Sequence, residues 1–192
     1  MSQISFNILC DPAEIRKALL RDGLRPMTAE DLPAIGAMAD ALIGPGIAPG
    51  EVIDAVAERS QCSLFVHDRA GVLGGALAII PVNPVGLAAL EADRFDGTNP
   101  PIDGVARPGE PLAGIYGWGF VGVSLRATAA VVSGMHRLRV ETYPRLPFFG
   151  RAATDAGRKV MEGRLGYGLQ PGTASGLYHN LPSSLATARS AA

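Results

Sequence analysis

The run GIYGWGFVGV (Gly114–Val123), followed by SLRATAAVVSGMHRLRVE (Ser124–Glu141), decides the fold. Its first part is rich in β-branched and aromatic residues and free of proline, which predicts a strand. The second part sets Leu125, Val131, Val132, Met135 and Leu138 at helical spacing, which predicts a helix. After a break at Pro144, RLPFFGRA (Arg145–Ala152) reads as a second strand. TDAGRKVMEGRLGY (Thr154–Tyr167) then reads as a capped helix closed by a Gly-aromatic turn. Strand, helix, parallel strand and helix make a right-handed crossover unit.

Working outward, 192 residues suffice for one ordinary domain with a full core. The net charge is −1 and the basic residues are scattered, so no field favours nucleic acid or an acidic membrane surface. Cys10 and Cys62 have no metal-binding spacing and read as reduced residues of a cytoplasmic protein. The start, MSQISFNILCDP, has no basic segment leading into an apolar run, so no signal peptide is expected. Val72–Leu90 is uncharged over 19 residues, near the length of a membrane span, but Pro81 and Pro84 would break one. A buried strand, a turn and a short helix are expected there instead.

Residues 1–23 read as an extension holding a short helix, with Asp11 as cap and Pro12 at its first position. Leu24–Met27 is a short first strand. TAEDLPAIGAMADAL follows as a helix capped by Thr28, with Asp31 placed to reach back. Leu32, Ile35, Met38 and Leu42 form its apolar face. EVIDAVAERSQ, beyond the break at Gly44–Gly50, is a second helix with Val52, Ile53 and Val56 inward. SLFVHDRAGVLGGALAII reads as a hairpin with arms Ser63–Val66 and Val72–Ile80 and a turn at His67–Gly71. Pro81–Pro111 is an insert: VGLAALEADRF offers two helical turns, and DGTNPPIDGVARPGEP a long surface loop, read either as a substrate-side flap or as a solvated insertion. Gly168–Pro182 is a pair of weak strands around Gly172, and 183–192 a small-residue tail expected to be disordered.

The crossover unit resembles the acetyl-CoA-binding half of the GNAT acetyltransferase superfamily. The run T-x-x-G … G-Y, carried by Thr154, Gly157, Gly166 and Tyr167, is the most specific part of the likeness. LRPMTAEDLPAI resembles the opening strand and helix of many members, and the hairpin's Asp-Gly-Gly pattern their middle hairpin. The resemblance runs from about Leu24 to Tyr167. It implies an α/β fold with a mixed, twisted sheet of six or seven strands and about four helices. Residues 24–182 would form that domain, with 81–111 inserted and 1–23 added as an N-terminal helical extension.

The resemblance also implies a site. The central strand and its neighbour splay apart, and the pantetheine arm of acetyl-CoA, or of another acyl-CoA, enters between them. Val121, Gly122 and Val123 would line that arm. The pyrophosphate would sit on backbone amides at the start of the next helix, a ready anion site. The family pattern there is Gln/Arg-x-x-Gly-x-Gly/Ala, and its register here is Arg126, Ala127, Thr128, Ala129, Ala130, Val131. Ala129 and Val131 replace glycines that permit close backbone approach.

No catalytic residue is assigned. The family often places an acid tyrosine four residues before the Gly-aromatic turn, where this chain has Glu162. A solvated helix-face glutamate is the plainer reading of Glu162. Tyr116, Tyr143 and Tyr178 are other donors, each with a core or edge role as its alternative. His67, His136 and His179 show no metal-ligand or nucleophile spacing. Tyr116, Trp118 and Phe120 alternate along the central strand and are expected on one face, as core or as lining of an acceptor pocket. The implied reaction moves an acetyl or other acyl group from coenzyme A to a primary amine of a small molecule or peptide. The alternative is a non-catalytic domain that binds acyl-CoA or a protein partner. Neither nucleic acid nor membrane is expected as a partner, no metal is expected, and a homodimer is left open.

Overall fold

In the computed structural model the described residues are 8–44 and 48–182; the tail at 183–192 lies outside them. Seven strands form one sheet: β1 (Leu24–Pro26), β2 (Leu64–Arg69), β3 (Val72–Val82), β4 (Gly114–Gly122), β5 (Phe148–Arg151), β6 (Gly168–Leu169) and β7 (Leu177–Asn180). Their order is β1-β2-β3-β4-β5-β7-β6. Every neighbouring pair is antiparallel except β4 and β5, which run parallel as the crossover reading requires. This is the mixed α/β sheet of six or seven strands that the sequence led us to expect.

Helices cover both faces. On one side α1 (Pro12–Leu20), α5 (Leu125–Arg137) and α6 (Asp155–Gly163) bury Leu19, Val131, Met135 and Met161 against Leu77, Ile115 and Phe148. On the other, α3 (Gly50–Ser60) and α4 (Pro84–Glu91) bury Val56, Leu87 and Leu90 with Ile80, Val82, Tyr116 and Phe149. α2 (Leu32–Leu42) lies on this second side but has no buried residue. α1 is capped as expected, with Asp11 accepting from the amides of Ala13 and Glu14 and Pro12 at its first position.

The hairpin turn is tighter than expected. β2 runs through His67 and Asp68 to Arg69, and only Ala70 and Gly71 turn, both at positive φ (54° and 78°). A two-residue turn of that hand matches the twist of the strands, and Asp68 Oδ1 accepts from Gly71 N. His67 is therefore a strand residue. The second predicted strand starts later than Arg145, because residues 143–146 close a turn (Leu146 N to Tyr143 O, 3.1 Å). The crossover helix runs on past Arg137 as one widened turn, Leu138–Thr142. Val72–Leu90 is the buried strand and capped helix expected of it, with Asn83 as the cap of α4.

The insert is not the solvated loop of one reading. Phe95, Val105 and Ala106 are buried, Val105 bridges to Val82, and Asn83 N donates to Gly104 O. Backbone groups that leave water need partners, and the segment finds them on the edge of β3 and α4.

A bulge in β4 sets the side-chain pattern of the site. Ala78 pairs with Gly119 but Ile79 pairs with Gly117, so Trp118 is an extra residue on β4. One extra residue reverses the alternation beyond it. Tyr116 and Trp118 thus pack with the α3–α4 side, and Phe120 with the α1–α5 side, not on one common face as expected.

Two expectations test this frame. Asp31 accepts from Thr28 N, Thr28 Oγ1 and both arms of Arg25, joining β1 to the start of α2. The Arg25 guanidinium holds its carboxyl well below the usual carboxylate range. That stabilisation is present above the unfolded carboxyl's value of about 4 and is lost as pH falls through the lower folded value. Asp31→Asn should cost roughly 1–2 kcal/mol in urea unfolding at neutral pH, with the gap to the native chain closing in acid. At the β4–α5 junction, a Cβ on Gly122 would lie 2.5 Å from Thr128 N, a backbone atom that no rotamer can move. Gly122→Ala should lower the melting temperature by several degrees, whereas Gly117→Ala, which meets only the flexible tip of Met135 at 2.9 Å, should cost less.

Candidate functional site

β4 and β5 pair only from Ile115–Phe148 to Gly117–Gly150. β5 stops at Arg151, and the chain turns away to cap α6 with Thr154, whose Oγ1 accepts from Gly157 N. β4 continues to Gly122. Trp118–Gly122 therefore has a strand on its β3 side and none on the other among the described residues. That open edge offers strand-spaced backbone donors and acceptors to an extended chain, as any unpaired strand edge does.

At the end of this edge stands the amino terminus of α5. Ser124 caps it, with Oγ accepting from Ala127 N at 3.2 Å, and the first helical bond runs from Thr128 N to Ser124 O. The amides of Ala129, Ala130 and Val131 lie inside the helix, where the repeating bonds take them up. The first-turn amides of α5 thus lie in the turn Ser124–Ala127, while the register read from the family pattern, Arg126–Val131, runs on into the helix. The sequence-derived residues divide accordingly. Val123, Arg126 and Ala129 are exposed and Gly122, Thr128 and Ala130 half-buried around the junction. Val121 is buried on the α2 face of β4 with Val66 and Ala76, and Ala127 and Val131 of α5 are buried against the sheet. Val131 packs towards Gly75, away from the open end, so its bulk does not crowd that turn. The residues present fit a phosphate through the first-turn amides and Arg126, without a glycine cradle.

On the opposite face of the sheet from α5, a cleft of about 860 Å³ runs along β4. α2 forms its roof through Leu32, Ile35, Gly36, Ala39 and Ile43, a single stripe at helical spacing. Of the expected inward face of α2, Ile35 and Met38 pack on Val66, Ala76 and Val121, whereas Leu42 is 44% exposed and turns away. Ile53 of α3 belongs to the same wall, so of its three expected inward residues only Val56 is fully buried. The floor is made of small residues, Ala76 and Ala78 on β3 and Gly119 on β4. Along the same face of β3 the next two positions are Ile80 and Val82, fully buried in the core. The cleft exists because the side chains shrink there.

Beyond β4 the cleft becomes polar. Arg151 Nη1 donates to Phe95 O at 2.9 Å and lies 3.4 Å from the Tyr116 hydroxyl, while Nη2 reaches Asp93 at 3.4 Å and Ser175 Oγ at 2.9 Å. Its guanidinium stands 6.0 Å from the Tyr116 ring centre, and Phe95 packs on Tyr116 at 5.0 Å. Trp118 Nε1 donates to Gly97 O. The loop at 93–98 therefore forms one wall, as the flap reading of the insert expected.

Of the four proton-donor candidates, only Tyr116 lines the cleft. Burial raises its pKa above the ordinary phenol value, against the pull of Arg151, so it is protonated at neutral pH. Tyr143 lies in the α1–α5 core with its hydroxyl unpartnered, and burial raises its pKa too. Tyr178 donates to Glu162 at 3.1 Å. Glu162 is exposed, paired with Arg158 at 3.5 Å, and outside the cleft, which matches the plainer reading of that residue. Sequence reasoning missed Arg151 and Asp93. An arginine inside an otherwise apolar strand, FFGR, was the signal for the first; nothing local marks Asp93. Among the described residues no group of three or more His, Cys, Asp or Glu could hold a metal, and no helix is long and apolar enough to cross a membrane.

No protein-family model matches the chain, and no curated protein does. Two solved structures are similar to it. One is a provisionally assigned acetyltransferase from Staphylococcus aureus MU50, at 12% identity, covering 83% of this chain and 99% of its own, with a TM-score of 0.49. The other, from Corynebacterium glutamicum ATCC 13032, is described as histone acetyltransferase HPA2 and related acetyltransferase; its identity is 16%, its coverage 83% and 96%, and its TM-score 0.45.

Proposed function

We propose that the protein transfers an acyl group from coenzyme A to an amine. The observation that carries this is the open edge of β4, Trp118–Gly122, which joins the first-turn amides of α5 that the Ser124 cap leaves free to a cleft on the other face of the sheet. An extended arm laid on that edge would place its phosphates at Ser124–Ala127 and its reacting end beside Gly119. A thioester supplies an activated carbonyl; attack by the amine nitrogen breaks the carbon–sulfur bond, and the leaving thiolate needs a proton. Tyr116 is the donor in this reading, because it lines the cleft and burial keeps its hydroxyl protonated. Arg151 beside it would hold the ring and hydroxyl in place. Holding amine and carbonyl together in the cleft contributes independently of acid catalysis.

The acceptor is a primary amine of a small molecule or peptide. A second reading, a domain that binds acyl-CoA without turning it over, draws on the exposed position of Glu162. Thiol release from acyl-CoA with a panel of amines separates the two.

Two further outcomes are expected. Leu125 is 92% exposed at the first position of α5, where an acidic side chain suits the helix but repels a phosphate. Leu125→Asp should keep the melting temperature and weaken coenzyme A binding about tenfold or more in calorimetry; unchanged affinity removes the phosphate site. Tyr116→Phe should lower turnover by about two orders of magnitude or more with little change in acyl-CoA affinity. Glu162→Gln, on the solvated face, should leave turnover nearly as it was. The reverse ranking would move the acid to Glu162.

A further inference from the structure

The cleft has two chemically different lobes. Between β4 and β1 it is bounded by α2, α3, β2 and β3, and none of the lining side chains there is polar among the described residues. Between β4 and β5 it is bounded by the 93–98 loop, with Asp93, Asp96, Thr98, Tyr116 and Arg151 along the wall. Gly119 lies at the divide, and a Cβ placed on it would meet nothing within 4 Å. The same is true of Gly36 in the roof and Gly50 at the start of α3. α2 thus lays Ile35, Met38 and Ile43 against Val66, Ala76 and Val121 without fully burying any of its residues, and its apolar stripe borders the open space of the lobe. Apolar surface left facing a cavity of this size marks a ligand site.

We infer that the apolar lobe receives the alkyl chain of an acyl-CoA longer than acetyl, and that the amine is received by the polar lobe. This rests on the acyl-transfer reading above. The assignment follows from polarity. Past its carbonyl an acyl chain has no hydrogen-bonding group, and the lobe beneath α2 offers no polar side chain to one. An amine carries donors and a positive charge before it reacts, and only the other lobe has carboxylates. A chain emerging from the gap at Gly119 needs to turn under α2, over Ala78 and Ala76, to be covered. The small floor residues give it that path; a larger residue at either position would close it.

The test is acyl-chain length. Dissociation constants are measured by calorimetry for coenzyme A and for its acetyl, butyryl and octanoyl thioesters, and thiol release is followed with short and long alkylamines. Each added methylene should tighten binding about fourfold until the lobe is full, the worth of burying one methylene. Ala78→Leu should remove the gain for octanoyl-CoA and leave acetyl-CoA affinity unchanged. Gly36→Leu fills the lobe from the roof and raises helix propensity, so it should fold and show the same loss. Acetyl-CoA that binds and turns over, with affinity flat in chain length, overturns this inference and leaves the acyl-transfer reading standing. A chain-length dependence on the amine instead, abolished by Ala78→Leu, also overturns it by giving the lobe to the acceptor. If neither coenzyme A nor any thioester binds, the acyl-transfer reading fails and this inference falls with it.

Discussion

The parallel pairing of β4 and β5 lasts for three residue pairs and then stops, and the site depends on where it stops. Up to Gly117 and Gly150 the two strands are held as one sheet, with glycines that admit Met135 and Met161 on the α5–α6 side. Past that point β5 gives way to the cap of α6, while β4 is still held on its other side by β3. A half-paired strand edge is easy to complete with another extended backbone. The longest strands of the sheet, β3 and β4, keep this edge rigid, which is what a positioning surface needs.

Around that edge, volume and not hydrogen bonding divides core from cleft. On the α2–α3 side β3 presents Ala76 and Ala78, then Ile80 and Val82; β4 presents Val121 and Gly119, then Trp118 and Tyr116. Large residues at one end close the sheet against α3 and α4. Small ones at the other leave α2 standing off. Polar groups gather only where Arg151 enters, and there Asp93, Ser175 and the Phe95 carbonyl satisfy it.

Much of the frame was legible because it is written locally. The period of 131–138, the cap signals at Asp11 and Thr154, and the proline-free run at 114–123 each specify an element within a few residues. What was illegible depends on partners far away in the chain. The bulge at Trp118 has no sequence mark of its own; it arises from pairing with Ala78 and Ile79, and it moved Phe120 to the other face. The stripe of α2 was found, but periodicity cannot tell a face that packs on a sheet from one that stands over a space. The register of the family pattern, Arg126–Val131, runs into the helix, since the pattern cannot show that Ser124 is its cap. The insert looked solvated from its prolines and glycines, yet its backbone is bonded to β3 and α4.

Asp93 closes α4 in a left-handed conformation (φ 54°), and its carboxylate accepts from the amides of Ala174 and Ser175, from the Ser175 hydroxyl and from Arg151. One side chain therefore clasps the start of the 93–98 loop to the connection between β6 and β7. Mechanically these two surface segments are tied to each other: neither can swing outward without the other unless three hydrogen bonds break together.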